Sequence, residues 1–594
     1  MPQFALLGLL SPKHVSWISP LWLLGVGALA GLVLVALLLG IFFLLSRIPA
    51  LGTAVDERRR FWRATAIGTG LVILVMAAAA AIDVVGGFRT GGAELGSARL
   101  GRVVALSVPA VLGAWIGVMS FLALCSRRLM GDLEEALTEG FMIFFLGTVV
   151  ALAIIGVAGS FALRPPTESW KIVGSLLRYP HVGTSTYHYQ IPASDDPKVL
   201  RGLEPPPATP IKVQFRANEL RALTIKSTED VSVAALPNAA MDTPDSLEVR
   251  VGEPFTWRKR RGMSGTFGAG ELDTFYVRNR GSAPADVTFV VQTDIVYPQA
   301  WIVPLAALTI AGMVLLYLAL RTLAPAISAV ALATFKSETA QPLFLILLAA
   351  TCVFLLFSIY APYRTLDEDI KLLKDAGLNV IMVVCMIVAV WGASTTVADE
   401  IEGQTALTVL SKPLTRRSFV IGKFTGITWT VALMYLVLGL LFLTVVSYKV
   451  IYDAREQSKE SPSWEVCFGE VVGTMMPLFL SFLEAMVFAA IAVAIATRLP
   501  MLANFMICFT LYGVGHLRSE IVSATLDRFP IVEFFARLSS VLVPGMEFFS
   551  SDSAIDAGLA VPAQYVGLAA LYSGTIMLIS LLLALLLFED RDVS

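Results

Sequence analysis

The polar residues with the most informative spacing lie between positions 398 and 427, where the chain reads ADEIEGQTALTVLSKPLTRRSFVIGKFTGI. The acidic residues come first, as Asp399, Glu400 and Glu402. The basic residues follow, as Lys412, Arg416, Arg417 and Lys423. Acidic side chains suit a helix N-terminus and basic ones its C-terminus, and Pro413 disfavours helix at the residue before it. The pattern predicts a short amphipathic helix, and from the pattern alone it can equally be an interfacial helix that only stabilises a loop.

A second candidate is Glu484, which lies within a long apolar run. A carboxylate inside the membrane is by default a functional candidate, here for a translocation path. The alternative is a structural glutamate that is hydrogen-bonded to Ser481 or to a neighbouring helix. Asn504 and His516, at the ends of the next apolar run, are interpreted as groups that hold helices together or lie at the interface.

Several other kinds of chemistry are not supported by the sequence. The four histidines, His14, His181, His188 and His516, and the five scattered cysteines show no zinc-ligand spacing, so no metal site is predicted. Gly422-Lys423 lacks the upstream glycine and the following Ser or Thr of a phosphate-binding loop, so ATP hydrolysis is not expected on this chain. A net charge of -2, without basic runs interleaved with aromatics, gives no reason to expect nucleic acid.

These residues must be positioned by membrane-spanning helices. The chain of 594 residues is 56% hydrophobic and only 15% charged, whereas soluble domains are about half apolar and a quarter charged. Crossing a hydrocarbon core of about 30 Å takes roughly 20 apolar residues as a helix. Eleven runs meet that criterion, near 20–46, 66–86, 103–125, 139–163, 300–320, 342–361, 378–397, 420–447, 471–497, 500–516 and 563–588.

The region 164–299 is different, because prolines cluster, charges return and no spanning run appears. Apolar residues alternate here at a spacing of two, which is typical of half-buried strands. The alternating sets are Val213 and Phe215, Leu223 and Ile225, Val231 and Val233, Leu247 to Val251, Phe275 and Val277, and Val287 to Val291. Tyr187-His188-Tyr189 also favours a strand over a metal site. About six short strands predict a small antiparallel β-sandwich.

The segment after residue 398 also resembles a known family. Its residues E-x-E-G-x-T-x-x-x-x-L-S-K-P-x-x-R, followed by G-K, are similar to the cytoplasmic signature of type-2 ABC exporter permeases, in the branch labelled as permeases for multicopper-enzyme maturation. They are Glu400, Glu402, Gly403, Thr405, Leu410, Ser411, Lys412, Pro413, Arg416, Gly422 and Lys423. Gln404 departs from the family, which usually has Gly and Thr adjacent. The connector 333–342 and the terminal FEDRDV fit the same family, so the resemblance covers about 325–594.

The resemblance implies that residues 398–420 form an elbow that docks into a separate ATPase subunit. Glu400 and Glu402 would pair with basic residues of the ATPase, whereas Arg416 and Arg417 are read chiefly as lipid-headgroup anchors. The resemblance also implies a homodimer or heterodimer of permeases. No cofactor is expected on this chain, because ATP and Mg²⁺ would bind the partner ATPase. An ATPase acts on the cytoplasmic side. The resemblance therefore places the C-terminus in the cytoplasm and the region 164–299 on the outer side of the plasma or inner membrane.

The predicted fold class is therefore an all-α polytopic membrane protein of about eleven transmembrane helices, with an inserted extracytoplasmic β-sandwich-like domain. Residues 1–163 hold about four spans, 164–299 the β-rich domain, 300–324 one span, and 325–594 a six-span permease domain. Two other functions remain open: a membrane scaffold or sensor that binds an envelope partner through the β-domain, and an ion-coupled secondary transporter that uses Glu484.

Overall fold

The computed structural model describes the parts of the chain needed to place most of these elements. They are residues 16–162, 166–193, 207–234, 246–258, 271–281, 283–361, 369–398, 415–517, 534, 543–558 and 561–589. The chain divides into two compact units. Unit 1 is Met1–Gly159 together with Val303–Ser594, and unit 2 is Ser160–Ile302.

Unit 1 is helical. Its long helices are α1 (Ser19–Ser46), α2 (Arg58–Leu124), α3 (Phe141–Ala162), α4 (Ile302–Leu323), α5 (Pro325–Thr339), α6 (Pro342–Ser358), α7 (Asp369–Ala393), α8 (Arg416–Glu456), α9 (Trp464–Ala496), α10 (Met501–His516) and α11 (Ala563–Glu589). Shorter helices are Pro49–Gly52, Arg127–Gly131, Leu133–Thr138 and Asp552–Asp556, and a π-helical turn, Ser394–Ala398, follows α7 directly. Helices are expected because each satisfies its own backbone hydrogen bonds in lipid.

The core of unit 1 is formed by α7, α8 and α9. In their apolar windows 67%, 67% and 72% of the residues are buried, against 22% in α1, 33% in α3 and 28% in α11. Phe442 of α8, Met386 of α7 and Phe488 of α9 are among the fully buried side chains of one continuous hydrophobic cluster. Helices α7 and α8, which the predicted elbow connects, and α9, which follows α8, are thus the innermost of these helices.

The predicted count of eleven spans is confirmed only in part. Within the described residues eight helices are long and apolar enough to cross a membrane, or nine if α5 and α6, bent by 64°, form one span. The predicted spans near 103–125 and 500–516 correspond to the shorter apolar helices Ala110–Leu124 and Met501–His516. A helix of 16 residues is about 24 Å long, which is less than a hydrocarbon core of about 30 Å.

Helix α2 contains two of the predicted spans, and its two ends lie side by side. The rings of Trp62 and Trp115 stack with centroids 6.2 Å apart, although a straight helix would separate them by about 80 Å. Phe61 and Leu122 share a small hydrophobic cluster. The segment therefore reverses direction between its ends, as two antiparallel limbs do.

Unit 2 contains two antiparallel sheets. The strands are β1 (Thr184–Ile191), β2 (Thr209–Arg216), β3 (Leu220–Ser227), β4 (Val231–Ala234), β5 (Ser246–Val249), β6 (Phe255–Arg258), β7 (Glu271–Asn279) and β8 (Ala285–Thr293). One sheet has the order β1-β8-β3-β6 and the other β2-β7-β4-β5. Both sheets contribute to a single hydrophobic core, in which Phe289 of the first stacks on Phe275 of the second.

The strand predictions agree with this arrangement. The six alternating sets lie in β2 to β5, β7 and β8, because one side chain in two faces the shared core, except that Val251 of the set in β5 lies in the turn after that strand and is exposed. The strand expected around His188 is β1, where the His188 ring nitrogen Nδ1 is 3.0 Å from the Thr288 hydroxyl of β8. Strand β6 was missed, although Phe255 and Trp257 show the same spacing of two that predicted β4.

A close contact joins α5 to α8. A Cβ atom at Gly422 would lie 2.6 Å from Cβ of Val330, and one at Gly426 would lie 2.7 Å from the carbonyl oxygen of Ala331. Small residues at this spacing of four let two helices approach closely in a membrane. Gly422, selected above as part of the signature, therefore has a packing role.

We predict that Gly426→Ala lowers the melting temperature of the detergent-purified protein by a few degrees, because its methyl group would overlap the backbone of α5. Overpacking of this kind costs about 1–3 kcal/mol. The matched control is Gly574→Ala in α11, where nothing lies within 4 Å of the added Cβ. Thermal unfolding followed by tryptophan fluorescence compares the two, and an equal effect of both substitutions would contradict the close contact.

Candidate functional site

The candidate site is the predicted elbow, of which the structure describes the two ends. Residues 399–414 lie outside the described residues, and with them the signature residues Glu400, Glu402, Gly403, Thr405, Leu410, Lys412 and Pro413. Arg416, Arg417, Gly422 and Lys423 are described, all on α8. The first end is the π-helical turn Ser394–Ala398, and the second begins at Thr415, the residue that caps α8.

At the first end of the elbow, side-chain hydroxyl groups are hydrogen-bonded to backbone carbonyl oxygens. The hydroxyl groups of Ser394 and Thr396 donate to carbonyl oxygens four residues earlier, at 2.8 and 2.6 Å, and the Thr395 hydroxyl shares its one proton between the Trp391 carbonyl oxygen, 3.0 Å away, and the Glu338 carboxylate. Three consecutive hydroxyl residues thus supply hydrogen bonds where the helix widens from α to π, and such π-helical turns occur often at functional sites. The turn ends one residue before the acidic part of the signature.

A cluster of buried and half-buried polar side chains surrounds this turn. We call it the root cluster, and it consists of Glu338, Gln341, Trp391, Thr395 and Lys423. The Thr395 hydroxyl donates to Glu338 Oε1 at 3.1 Å, and Gln341 Nε2 donates to the same oxygen at 3.0 Å. The Trp391 indole N–H donates to Gln341 Oε1. These bonds tie α5 and the start of α6 to the end of α7.

Lys423 adds α8 to the root cluster. Its ammonium group interacts electrostatically with the Glu338 carboxylate and lies 5.4 Å from the centre of the Phe419 ring. Glu338 is 3% exposed and Lys423 is 7% exposed. Charges this deeply buried persist only when they are paired or hydrogen-bonded. Lys423, a residue of the signature, therefore has a structural role where α8 meets the root cluster.

A further helix, α10, is attached to the same turn. The fully buried Asn504 donates from Nδ2 to the Ser394 hydroxyl and to the Ala492 carbonyl oxygen, both at 3.1 Å. One amide thus joins α10 to the π-helical turn and to α9. This confirms the interpretation of Asn504 as a group that holds helices together.

The second end of the elbow packs against the C-terminal helix. Thr415 Oγ1 accepts a hydrogen bond from the Ser418 backbone N–H at 3.2 Å, which caps α8. The ring of Phe419 stacks on Phe588 of α11 at 5.9 Å, and the Arg416 guanidinium lies 5.8 Å from the same ring. Phe588, the first residue of the terminal FEDRDV motif, is fully buried. Arg416 and Arg417 are exposed.

Glu484 is held by a neighbouring helix. Its Oε1 atom on α9 lies 2.7 Å from His516 Nε2 on α10, whereas Ser481 is hydrogen-bonded to the Tyr435 hydroxyl instead. Asn504 and His516 are separated by about 18 Å along α10. The structure therefore brings Glu484 together with His516 and not with the root cluster.

A second polar cluster lies at the other end of α8, and the sequence interpretation missed it. Lys449, 1% exposed, donates to the carbonyl oxygen of Ile359 at 3.1 Å and lies 3.0 Å from Asp453 Oδ1. Lys423 and Lys449 are about 39 Å apart along α8, which approaches the thickness of a bilayer with its headgroups, about 40–45 Å. The sequence signal that could have revealed this cluster is the spacing of four between Lys449 and Asp453.

The described residues contain no group of three or more His, Cys, Asp or Glu side chains that could hold a metal ion. Comparison with known proteins bears instead on the region around the elbow. Residues 363–593 match the family described as ABC-2 family transporter protein. This confirms the resemblance to type-2 ABC permeases for that part of the chain, and the match spans the elbow and helices α7 to α11. Among curated proteins none matches this chain.

The ABC-2 match supports a role as the membrane subunit of an ABC transporter. The apolar helices and this match together indicate a multi-pass membrane protein. The assignment to the multicopper-enzyme-maturation branch stays a prediction.

We predict that Thr395→Val destabilises the protein by about 1–2 kcal/mol, because the Glu338 carboxylate loses a hydrogen bond in a buried position. The matched control is Thr575→Val in α11, whose exposed hydroxyl makes only the bond to a carbonyl four residues earlier. Thermal unfolding of the two purified variants gives the comparison. Equal stability of both variants would show that the bond to Glu338 contributes nothing.

Proposed function

We propose that this chain is the permease subunit of an ATP-driven ABC exporter, coupled to a separate ATPase subunit through the elbow 398–420. The ABC-2 match over residues 363–593 carries the proposal. Export is the direction that the resemblance implies. We retain the division into 1–163, 164–299, 300–324 and 325–594, and a homodimer or heterodimer of permeases.

The geometry around the elbow favours mechanical coupling. The elbow connects α7 to α8, which are among the innermost helices, and both of its ends are fixed by the bonds and ring contacts described above. Nucleotide binding by the ATPase would favour one of two packings of the helices. An elbow with fixed ends would transmit that movement to α7 and α8 instead of absorbing it. Glu400 and Glu402 are the residues that we assign to docking, with Arg416 and Arg417 at the membrane surface.

The helix directions support one orientation. If the elbow is cytoplasmic, α11 also ends on that side, because Phe588 contacts Phe419. Helix α4 leads through Ala324 into α5, which carries Glu338 of the root cluster, so α4 begins on the outer side, where unit 2 is inserted. The Ser447 hydroxyl, near the outer end of α8, donates to the carbonyl oxygen of Trp17. We therefore place unit 2 and the start of α1 outside, and the C-terminus in the cytoplasm.

The test of this function is co-purification in a mild detergent. We expect the wild-type chain to capture a polypeptide that binds and hydrolyses ATP with Mg²⁺, and Glu400→Lys to lose it through charge reversal at the docking surface. Arg416→Glu should weaken capture by removing the contact of the guanidinium with the Phe588 ring at the second end of the elbow. The matched controls are Glu460→Lys and Arg455→Glu, which lie at or beyond the opposite end of α8. They should retain the ATPase.

Two results would contradict the proposal. Loss of the ATPase in the controls as well would show that charge reversal acts through the fold, and the absence of any ATPase from the wild type would remove the partner. Capture of an ATPase without transport in proteoliposomes would favour the scaffold or sensor function.

The contact between the buried Glu484 and the half-buried His516 favours a second candidate function, ion-coupled transport. That function predicts transport without ATP, and it predicts that Glu484→Gln abolishes the pH dependence of transport, because the carboxylate would be the proton-binding group. The ATP-driven function predicts that Glu484→Gln leaves ATP dependence intact. Transport by reconstituted protein at several pH values, with and without ATP, separates the two.

A further inference from the structure

Unit 2 contains a cavity of about 270 Å³. The cavity lies between β1 and β2, each of which is an edge strand of one of the two sheets. The 3₁₀ helix Ser175–His181 closes one side of the cavity. These two edge strands belong to different sheets and are not paired with each other. A β-bulge between Lys212 and Phe215 shifts the register of β2 at this point. The open edge of the sandwich and the bulge together leave the space.

One wall of the cavity is a rigid ion pair. Arg178 donates from Nε and from an Nη atom to the two oxygens of Glu219, at 3.1 and 3.3 Å. The Glu219 side chain is 5% exposed, and a bidentate pair of this kind is fixed in orientation. The wall is therefore formed before any ligand arrives, as is usual for small-molecule sites.

The lining combines polar groups with aromatic rings. Apart from Phe215 and Val291, every residue that lines the cavity has a polar side chain. Donors and acceptors are both present, since Gln214 offers an amide, Ser185 a hydroxyl and Glu219 a carboxylate. Phe215, which packs against Phe275 of the core at 5.7 Å, and Tyr187 of β1 supply half-buried rings.

This combination fits one class of ligand. A saccharide ring carries several hydroxyl groups, each both donor and acceptor, and a face of C–H groups that packs on aromatic rings. A lipid chain would leave the polar lining unsatisfied. A small inorganic anion would meet the Glu219 carboxylate, and of the two lining arginines Arg178 is already paired with that carboxylate. Among the lining residues only His181 and Glu219 are ordinary metal ligands, fewer than a metal site needs.

We propose that unit 2 binds a saccharide unit in the cavity between β1 and β2, with Gln214 and Arg216 as hydrogen-bonding residues and Tyr187 and Phe215 as the stacking surface. The site does not depend on the proposed transport function, because all of its residues belong to unit 2. Its size, slightly below the usual range of about 300–1,000 Å³ for ligand pockets, corresponds to a small polar ligand.

The test uses the full chain in lipid nanodiscs, so that no sugar-based detergent occupies the cavity. Saturation-transfer NMR with glucose, N-acetylglucosamine and glucuronate as separate probes measures binding, and inorganic phosphate is the fourth probe. We expect saturable binding of at least one sugar, weakened about tenfold in Gln214→Ala and in Arg216→Ala through loss of a hydrogen bond. The matched control is Gln190→Ala, on the exposed face of β1 and outside the cavity, which should bind as the wild type does.

Three outcomes would overturn the proposal. The first is failure of all three sugars to bind the wild-type chain. The second is binding of phosphate alone, which would make the cavity an anion site. The third is sugar binding that is unchanged in Gln214→Ala and Arg216→Ala, which would place the sugar elsewhere. Thermal unfolding of each variant verifies that unit 2 remains folded.

Discussion

The helical unit depends on the pairing of buried polar side chains at the two ends of α8. In a lipid environment a polar group must find its partner inside the protein. Near one end of α8, Lys449 meets Asp453 and the Ile359 carbonyl oxygen, and near the other the buried Glu338 accepts hydrogen bonds from Thr395 and Gln341 while Lys423 lies over the Phe419 ring. Between them, α8 is apolar and packs among α5, α7 and α9. The glycine contact with α5 then fixes the position of α8 against α5. The register of the central helices thus follows from two buried polar clusters and one close approach.

The same constraint explains why the ends of the elbow are well suited to coupling. Side chains of α5 and α10 are hydrogen-bonded to the π-helical turn, which continues α7, and Phe588 of α11 stacks on Phe419 of α8 at the second end. A displacement of the elbow would therefore act on several helices at once. We assign recognition of the ATPase to residues 399–414, and transmission of its movement to the residues on either side of that segment. The charged and the buried residues of the signature thus have separate roles.

The sequence predicts local structure well here, and contacts between distant residues poorly. Strands β2 and β8 could be predicted because alternation reports a single buried face, and α7 to α9 because they are long and apolar. Strand β6 carries the same alternation in Phe255 and Trp257 but was missed, and the fold-back of α2 gives no such signal. Glu338 and Thr395 are 57 residues apart in sequence, and neither has a pattern that singles it out. Glu484 was found from its apolar surroundings, but its partner, His516, required the packing of α9 against α10. Phe588 was noted as part of a terminal motif, whereas its contact with Phe419 is a tertiary feature.

Photo-crosslinking in intact cells tests the central claim most directly. A photoreactive amino acid in place of the exposed Arg417 would lie in the elbow, at the end of α8 that we propose to be cytoplasmic, and the same probe at Arg455 would lie at the other end of the same helix. The account predicts that the probe at 417 crosslinks an ATP-hydrolysing polypeptide and that the probe at 455 does not. Crosslinking of that polypeptide from position 455, or of no ATPase from position 417, would contradict coupling through the elbow.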